Sequence, residues 1–590
     1  MPEVRTGAQR RASLRVVLVL VAALLGVATG CTANPPPPIE STDSPKTQPA
    51  KPGNKSVTVA VDDIGIGFNP HLRSQQSPAT AAVASMVLPS PFRAGPTPGV
   101  PGGTDWIMDP TLMVSADVTS QEPFTITYQI NHDANWSDGV PIAAEDFKYL
   151  WQQMMTQPGA VDPAGYRLIT DVASSVGGKT VTVTMSQPYP AWRQLFSDLL
   201  PQHLIKDSGF EQGLIDTIRI SGGPFRIKQA DRGREEILLE RNDRYWGRSA
   251  VPDQILLRRG GTPAQVAESL RVGDAQMALV HGGVALQAQL AAIPSVRTAI
   301  MAQAREMQLV LNGRSGDLSD VRVRRAVLGL LDPVLLATVG AQTGSWVEPV
   351  RAQVLTPSDP GYVATEPPRL SQDEAFGLLA EAGFARAAET PAVPSSTSPA
   401  PQPRSLAKNG KSLTVRIGAV DGDTTALAVA NTAADQLRSA GIDVIVRSVS
   451  AAQLYGKELT DVGIDAVVGW ERAGEDPATV LASRYGCAPA PLPGDGGDST
   501  VVDGAKKSPS NLSGVCDPTL QPAIDSALRG IDVGKVIGDL EPKLWELATV
   551  LPIVQDTQVA AAGPRVDGAS LSGAIQTGIF ADAANWRRLS

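Results

Sequence analysis

The stretch Phe124–Trp151, reading FTITYQINHDANWSDGVPIAAEDFKYLW, restricts the fold more than any other part of the chain. Phe124, Ile126, Tyr128 and Ile130 alternate with polar residues, which predicts a strand with one buried face. Asn131 to Gly139 is rich in turn formers, and a helix is expected to follow. Pro141, Glu145 and Asp146 suit a first helical turn, while Phe147, Leu150, Trp151 and Met154 fall at i, i+3, i+4 and i+7. A strand, a Trp-x-Asp-Gly turn and an acidic helix start in this order demand a mixed α and β domain.

The N-terminus reads as an export signal. Arg10, Arg11 and Arg15 precede an apolar run from Val16 to Ala28, which as a helix spans about 20 Å against a bilayer core of about 30 Å. Residues 1–30 are therefore expected to be cleaved. The ending Ala28-Thr29-Gly30-Cys31 resembles a lipoprotein processing site, implying a diacylated Cys31 that anchors the chain to the extracytoplasmic face of the cell membrane. Plain secretion, with Cys31 unmodified, is the alternative. Residues 31–56 carry seven prolines among Ser, Thr and Lys, a tether of reach up to roughly 75 Å. Beyond the signal, 47 Lys and Arg face 59 Asp and Glu, and no basic run offsets that balance, which argues against a nucleic-acid partner. At 590 residues with 42% hydrophobic content, two or three globular domains are expected.

Further segments carry pattern. Val57, Val59 and Val61 predict a first strand before Gly65-Ile66-Gly67-Phe68-Asn69-Pro70. Val181, Val183 and Met185 predict another, ahead of Gln187-Pro188-Tyr189-Pro190-Ala191-Trp192. Later come Gly222-Gly223-Pro224-Phe225, then Leu239-Glu240-Arg241-Asn242-Asp243-Arg244-Tyr245-Trp246, then Val272-Gly273-Asp274-Ala275-Gln276-Met277-Ala278. A helix begins at Asp320, its expected cap; Val323, Val327 and Leu330 form its buried face, and Arg322, Arg324 and Arg325 are expected to be solvated. Ala375, Leu378, Leu379 and Ala382 describe a helix stopped by Gly383. Thr390 to Ser412 lacks helical or strand periodicity and reads as a Pro-rich surface insertion, here bounded at 390–412. Leu413, Val415 and Ile417, the helix Ala426 to Leu437, and Ile442, Val444 and Val446 predict a βαβ unit, followed by a buried strand from Ile464 to Trp470.

Taken together, from the Trp-x-Asp-Gly turn to Trp586, these segments resemble the extracellular solute-binding proteins of the peptide and nickel class, family 5. Ala143 stands where that family has Thr, and Gln276 where it has Asp. The resemblance implies an α/β bilobal periplasmic-binding-protein-like fold of the large three-domain type, with ligand enclosed by a hinge closure. The implied partition is 57–300 for lobe I with its inserted subdomain, 301–540 for lobe II, and 541–590 for the return to lobe I. It also implies a binding protein rather than an enzyme, without cofactor. A closer resemblance, carried by Asp109-Pro110-Thr111-Leu112-Met113-Val114 and Ala430-Asn431-Thr432-Ala433-Ala434-Asp435, points to members that bind monoacyl phosphatidylinositol tetramannoside and direct it toward polar mannosides or lipoarabinomannan. A membrane mannosyltransferase or an ABC permease is the implied partner. An oligopeptide importer subunit and a ligand-free regulator of a mannosyltransferase remain the alternatives.

Carried over residue by residue, the resemblance places Phe68 and Asn69 in a ligand-facing loop. In peptide-binding members the strand matching Ile464 to Trp470 leads to an Asp that pairs with the peptide amine; here that position is Ala473. Arg472 is then expected to pair with a phosphate unless Glu471 neutralises it, and Trp470 to stack on a sugar. A buried structural Trp470 and a surface Arg472 are the alternative. Glu475 or Asp476 could return the missing carboxylate from a shifted loop.

Other chemistry finds no pattern. Ala173 to Thr180 lacks the first glycine of a phosphate loop and reads as a hairpin turn, and the region of Asp133 misses calcium-loop spacing. His71, His132, His203 and His281 are dispersed, so no catalytic or metal residues are assigned. Cys487 and Cys516, outside the membrane, are expected to form a disulfide; two unpaired core thiols are the competing reading.

Overall fold

A computed structural model describes residues 55–175, 177–342, 345–386, 405–487 and 510–589. The export signal, Cys31, the tether before residue 55 and the stretch 390–404 of the insertion lie outside the described residues.

The backbone of the fold is a sheet of eleven strands. Its centre is a pair of long antiparallel strands, Arg297–Leu311 and Val550–Ala562. On one flank Met277–Val280 pairs antiparallel with the second long strand and parallel with Ser56–Val61, which in turn lies parallel to Gln254–Arg259. On the other flank Ala466–Arg472 pairs with the first long strand, followed by the parallel strands Thr414–Val420 and Asp443–Val449. The helix Thr424–Ser439 joins those last two strands and buries Ala426, Val429, Ala430, Ala433 and Leu437 between them and the solvent. That crossover is the βαβ unit predicted from periodicity.

The long strands pack into more than one core: Met301 and Ala560 belong to one that also holds Phe124 and Ile126, Met307, Leu309, Ile553 and Val554 to a second, and Val559 and Ala561 to a third, smaller one. Between those stretches the register slips: Ala302 faces Thr557 and Glu306 faces Gln555, so residues 303–305 stand opposite Asp556 alone. Such a bulge bends the strand and increases its local twist. The two halves of the sheet therefore meet at a bend that both long strands share.

The opening stretch folds as expected. Phe124–Ile130 alternates buried and half-buried residues in a four-stranded antiparallel sheet, between Met113–Gln121 and Thr180–Met185. The helix Ala144–Thr156 closes over it with Phe147, Leu150 and Met154 inward. Asp146 ties turn to helix, accepting from the Trp136 indole at 3.2 Å, from Ala143 N–H at 3.1 Å and from Gln202 N–H at 3.2 Å. Gly177 and Gly178, at φ 91° and 72°, turn the hairpin between Ile169–Ser174 and Thr180–Met185.

Three expectations need correction. Arg324 is buried, not solvated: it donates to the carbonyls of Leu547, Leu318 and Ser319 and so joins its helix to the return segment. Arg322 and Arg325 are exposed as expected. Within the stretch 390–412, Leu406–Lys408 and Lys411–Ser412 form a hairpin that adds Ala385–Arg386 as a third strand. The turn chemistry of Asn409 and Gly410, both at positive φ, was present in the sequence, but strands of two or three residues are too short to show alternation. Finally, the histidines are not all isolated, because folding brings His281 between Asp62 and Asp556.

Candidate functional site

A cavity of about 110 Å³ opens where the two halves meet. The bulged residues Gln303, Ala304 and Arg305 form one wall, Phe92 and Trp106 another, and Arg472 with Glu475 a third. The bulge positions the first wall; the end of the strand Ala466–Arg472 positions the third.

Arg472 enters this cavity held on both sides. One guanidinium nitrogen donates to the Pro70 carbonyl, and another lies 3.6 Å from Glu475. Burial raises the Glu475 carboxyl to about 7, with Arg472 opposing the shift and Asp162, Asp476 and Asp198 adding to it. Near neutrality Glu475 is thus divided between its charged and protonated forms, and its hold on Arg472 is partial. Asp198 also lines the cavity; burial raises its carboxyl while Arg472 and Arg93 oppose. His71 is kept neutral by burial, its value lowered to about 3, and its Nε2 stands 3.0 Å from the Asp198 carbonyl, which requires that nitrogen to be the donor.

Arg305 donates to Asp556 at 2.6 Å and to the Gln76 carbonyl at 3.1 Å, with its guanidinium 4.0 Å over the Trp470 ring. Asp556 also holds His281 at 2.6 Å, and Asp62 holds the other ring nitrogen at 2.7 Å. Burial pulls the imidazole down, but Asp556 and Asp62 overcome that and raise it to about 10. Behind the cavity, Arg73 meets both oxygens of Glu471 at 2.7 and 2.8 Å and donates to the Ala160 carbonyl. Arg484 pairs with Glu306 and donates to the Arg472 carbonyl at 2.7 Å.

Of the residues singled out in the sequence, Arg472 lines the cavity and Phe68, Asn69, Trp470 and Glu471 stand outside its lining. Phe68 is buried, and Asn69 donates to the Phe210 carbonyl at 2.7 Å. Trp470 is packed in the second half's core beneath Arg305. Glu471 serves Arg73, so Glu475 takes the place beside Arg472. Ala473 is buried, its N–H given to the Ala304 carbonyl at 3.1 Å. Asp476 caps the helix Pro477–Tyr485 by accepting from Thr479. Cys487 and Cys516 form a disulfide with Cα atoms 5.1 Å apart. Sequence reasoning missed Gln303, Arg305 and Asp556. The available signal was the run Gln555-Asp556-Thr557-Gln558, four buried polar residues inside an otherwise apolar strand.

Comparison with known proteins identifies the family and the fold. Residues 108–491 match the bacterial extracellular solute-binding proteins, family 5 middle region. The chain is 48% identical, over 97% of its length and 98% of the relative's, to a Mycobacterium tuberculosis protein named "Probable monoacyl phosphatidylinositol tetramannoside-binding protein LpqW". It is 25% identical to the oligopeptide-binding protein OppA of Mycobacterium bovis, covering 85% of this chain and 80% of that one. Among solved structures, the oligopeptide-binding protein AppA of Bacillus subtilis with a nonapeptide superposes at a TM-score of 0.67, with 15% identity, 91% of this chain and 99% of that chain covered. The periplasmic EDTA-binding protein EppA does so at 0.63, with 21% identity, 91% of this chain and 96% of that chain covered.

Proposed function

Because the chain belongs to family 5 of the bacterial extracellular solute-binding proteins, we propose that it binds a phosphatidylinositol mannoside between the two halves of its sheet. The ligand is the monoacyl tetramannoside for which its mycobacterial relative is named, and the protein directs that intermediate toward lipoarabinomannan or polar mannosides. Residues 57–300 and 301–540 act as the two lobes, with 541–590 returning to the first. Cys31 carries the lipid that keeps the protein on the extracytoplasmic face.

The observation that carries this reading is the cavity's lining. Ten of its twenty-three residues are Ser, Thr or Gln, joined by the aromatic rings of Phe92 and Trp106. Hydroxyl and amide side chains both give and accept hydrogen bonds, as sugar hydroxyls require, and aromatic faces cover apolar sugar faces. Arg472 supplies a cation for a phosphodiester, and the partial charge on Glu475 lets it be released. About 110 Å³ is below the several hundred that small-ligand sites enclose, so binding requires the halves to part at the shared bend.

One observation favours an oligopeptide importer subunit instead: Glu475 is a carboxylate lining the cavity with its side chain 11% exposed, suited to a peptide amine. Thermal-shift and calorimetric titrations with tetramannosylated phosphatidylinositol and with tri- to pentapeptides decide between them. We expect stabilisation by the glycolipid, lost in Arg472→Ala, and no peptide binding. Micromolar peptide binding abolished by Glu475→Gln would replace the proposal with the importer reading, and no response to either class would leave a ligand-free regulator.

A further inference from the structure

A second cavity, of about 190 Å³, shares no lining residue with the first. Its apolar surface comes from Leu328 in the last turn of the helix Val321–Gly329 and Leu331 just beyond it, from Leu551 and Ile553 of a long central strand, and from Trp545 of the helix Val533–Leu547. The gap follows from local sequence. Asp332 caps a new helix that starts with Pro333, and Pro367-Pro368 carry the chain past without backbone donors to pair with the strand. Trp545 gives its indole N–H to Thr365 Oγ1 at 3.1 Å, so its polar edge is satisfied and its ring is left to line the groove. Val334, at the mouth, is 61% exposed.

The rim is cationic. The Arg325 side chain is exposed and has no ion pair or hydrogen bond among the described residues. Arg351 lies 3.7 Å from Glu366, a long and half-exposed pairing. Arg369 is 3.5 Å from Asp332 and donates to the Leu331 carbonyl at 2.6 Å. Around the rim three guanidinium groups therefore stand against two carboxylates, those of Glu366 and Asp332. An apolar groove by itself would suit many partners; one ringed by an unpaired arginine and two weakly paired ones selects a ligand with an apolar body and an acidic end.

We propose that this groove binds the headgroup end of a single-chain anionic lysophospholipid, its phosphate at Arg325 and the nearest part of its acyl chain against Leu328, Leu551 and Trp545, since about 190 Å³ is below the several hundred that enclose a whole small ligand. Each methylene taken from water strengthens binding about fourfold, and loss of one charge-assisted contact weakens it about tenfold. The site is separate from the cavity between the halves, so it stands whether or not that cavity takes a glycolipid.

The test is photolabelling of the full-length protein with palmitoyl lysophosphatidylglycerol carrying a diazirine in its acyl chain, below its micelle concentration. Label is expected on peptides containing Leu328 and Trp545, to fall about tenfold in Arg325→Glu and in Val334→Asp, and to rise in Glu366→Gln as a negative charge leaves the rim. Arg472→Ala, in the other cavity, should leave it unchanged. Equal labelling by the choline lysolipid, label that ignores Arg325→Glu and Glu366→Gln, or label only on peptides lining the first cavity would overturn the proposal. Absence of label would do the same and leave the groove to a protein partner.

Discussion

His281 shows how a residue without a sequence motif acquires a distinct electrostatic role. Its neighbours in space are Asp62, more than two hundred positions earlier, and Asp556, far later in the chain. Held between two carboxylates with its side chain 7% exposed, the imidazole titrates at about 10 rather than 6.5. A group whose folded value is raised stabilises the fold fully below its unfolded value, and that contribution is lost as pH rises through the folded value. We therefore expect stability against urea to decline between about pH 6.5 and 10 by on the order of a few kcal/mol. His281→Gln should flatten that decline, and the His281 ring resonances should remain those of an imidazolium at pH 8. A wild-type stability unchanged across this window, or a His281 titration near its ordinary value, would contradict the assignment.

Elements were legible in the sequence where they are long and periodic. The strand Phe124–Ile130, the helix Thr424–Ser439 and the cap at Asp320 all follow from patterns within a dozen residues. The cavity was not, because its walls come from a strand bulge, a helix, strands and loops far apart in the chain that only the folded molecule gathers. One local defect can be repaired. The helix Ala144–Thr156 begins at Ala143, which offers no side-chain acceptor, although Asp146 already reaches back to the Ala143 N–H. Ala143→Ser would complete the reciprocal pair, and denaturant titration should show a gain of about 1 kcal/mol. No gain would mean that the backbone contact of Asp146 N–H with the Ala143 carbonyl at 3.0 Å already satisfies that end.

At the scale of the molecule, a buried ion pair crosses between the halves. Arg73 lies in the first half, just after the strand Ser56–Val61, and Glu471 on the strand Ala466–Arg472 of the second; both side chains are at most 5% exposed. Removing one partner strands a charge in the interior, at about 3 to 5 kcal/mol. Arg73→Ala should therefore lower the unfolding free energy by that amount, and the double variant Arg73→Met with Glu471→Leu should lose less than Arg73→Ala alone, because neither charge is then left unpaired. Equal losses would show that the pair does not hold the halves together. The pair has no sequence signature, since its members are nearly four hundred residues apart.

What the sequence by itself determined is whatever depends on neighbours along the chain: alternation in strands, spacing in helices, turn residues, and the order of segments from which the family and its bilobal fold could be read. The Cys487–Cys516 pairing was also legible, because only two cysteines remain in the described part to choose between. Whether Trp470 lines the cavity or the core, which acid stands beside Arg472, and whether Arg324 meets water were decided by the tertiary structure alone. These outcomes turn on burial and on partners delivered from distant strands. A charge or ring takes whichever partner the packed interior leaves within reach, and periodicity along the chain carries no information about that distance.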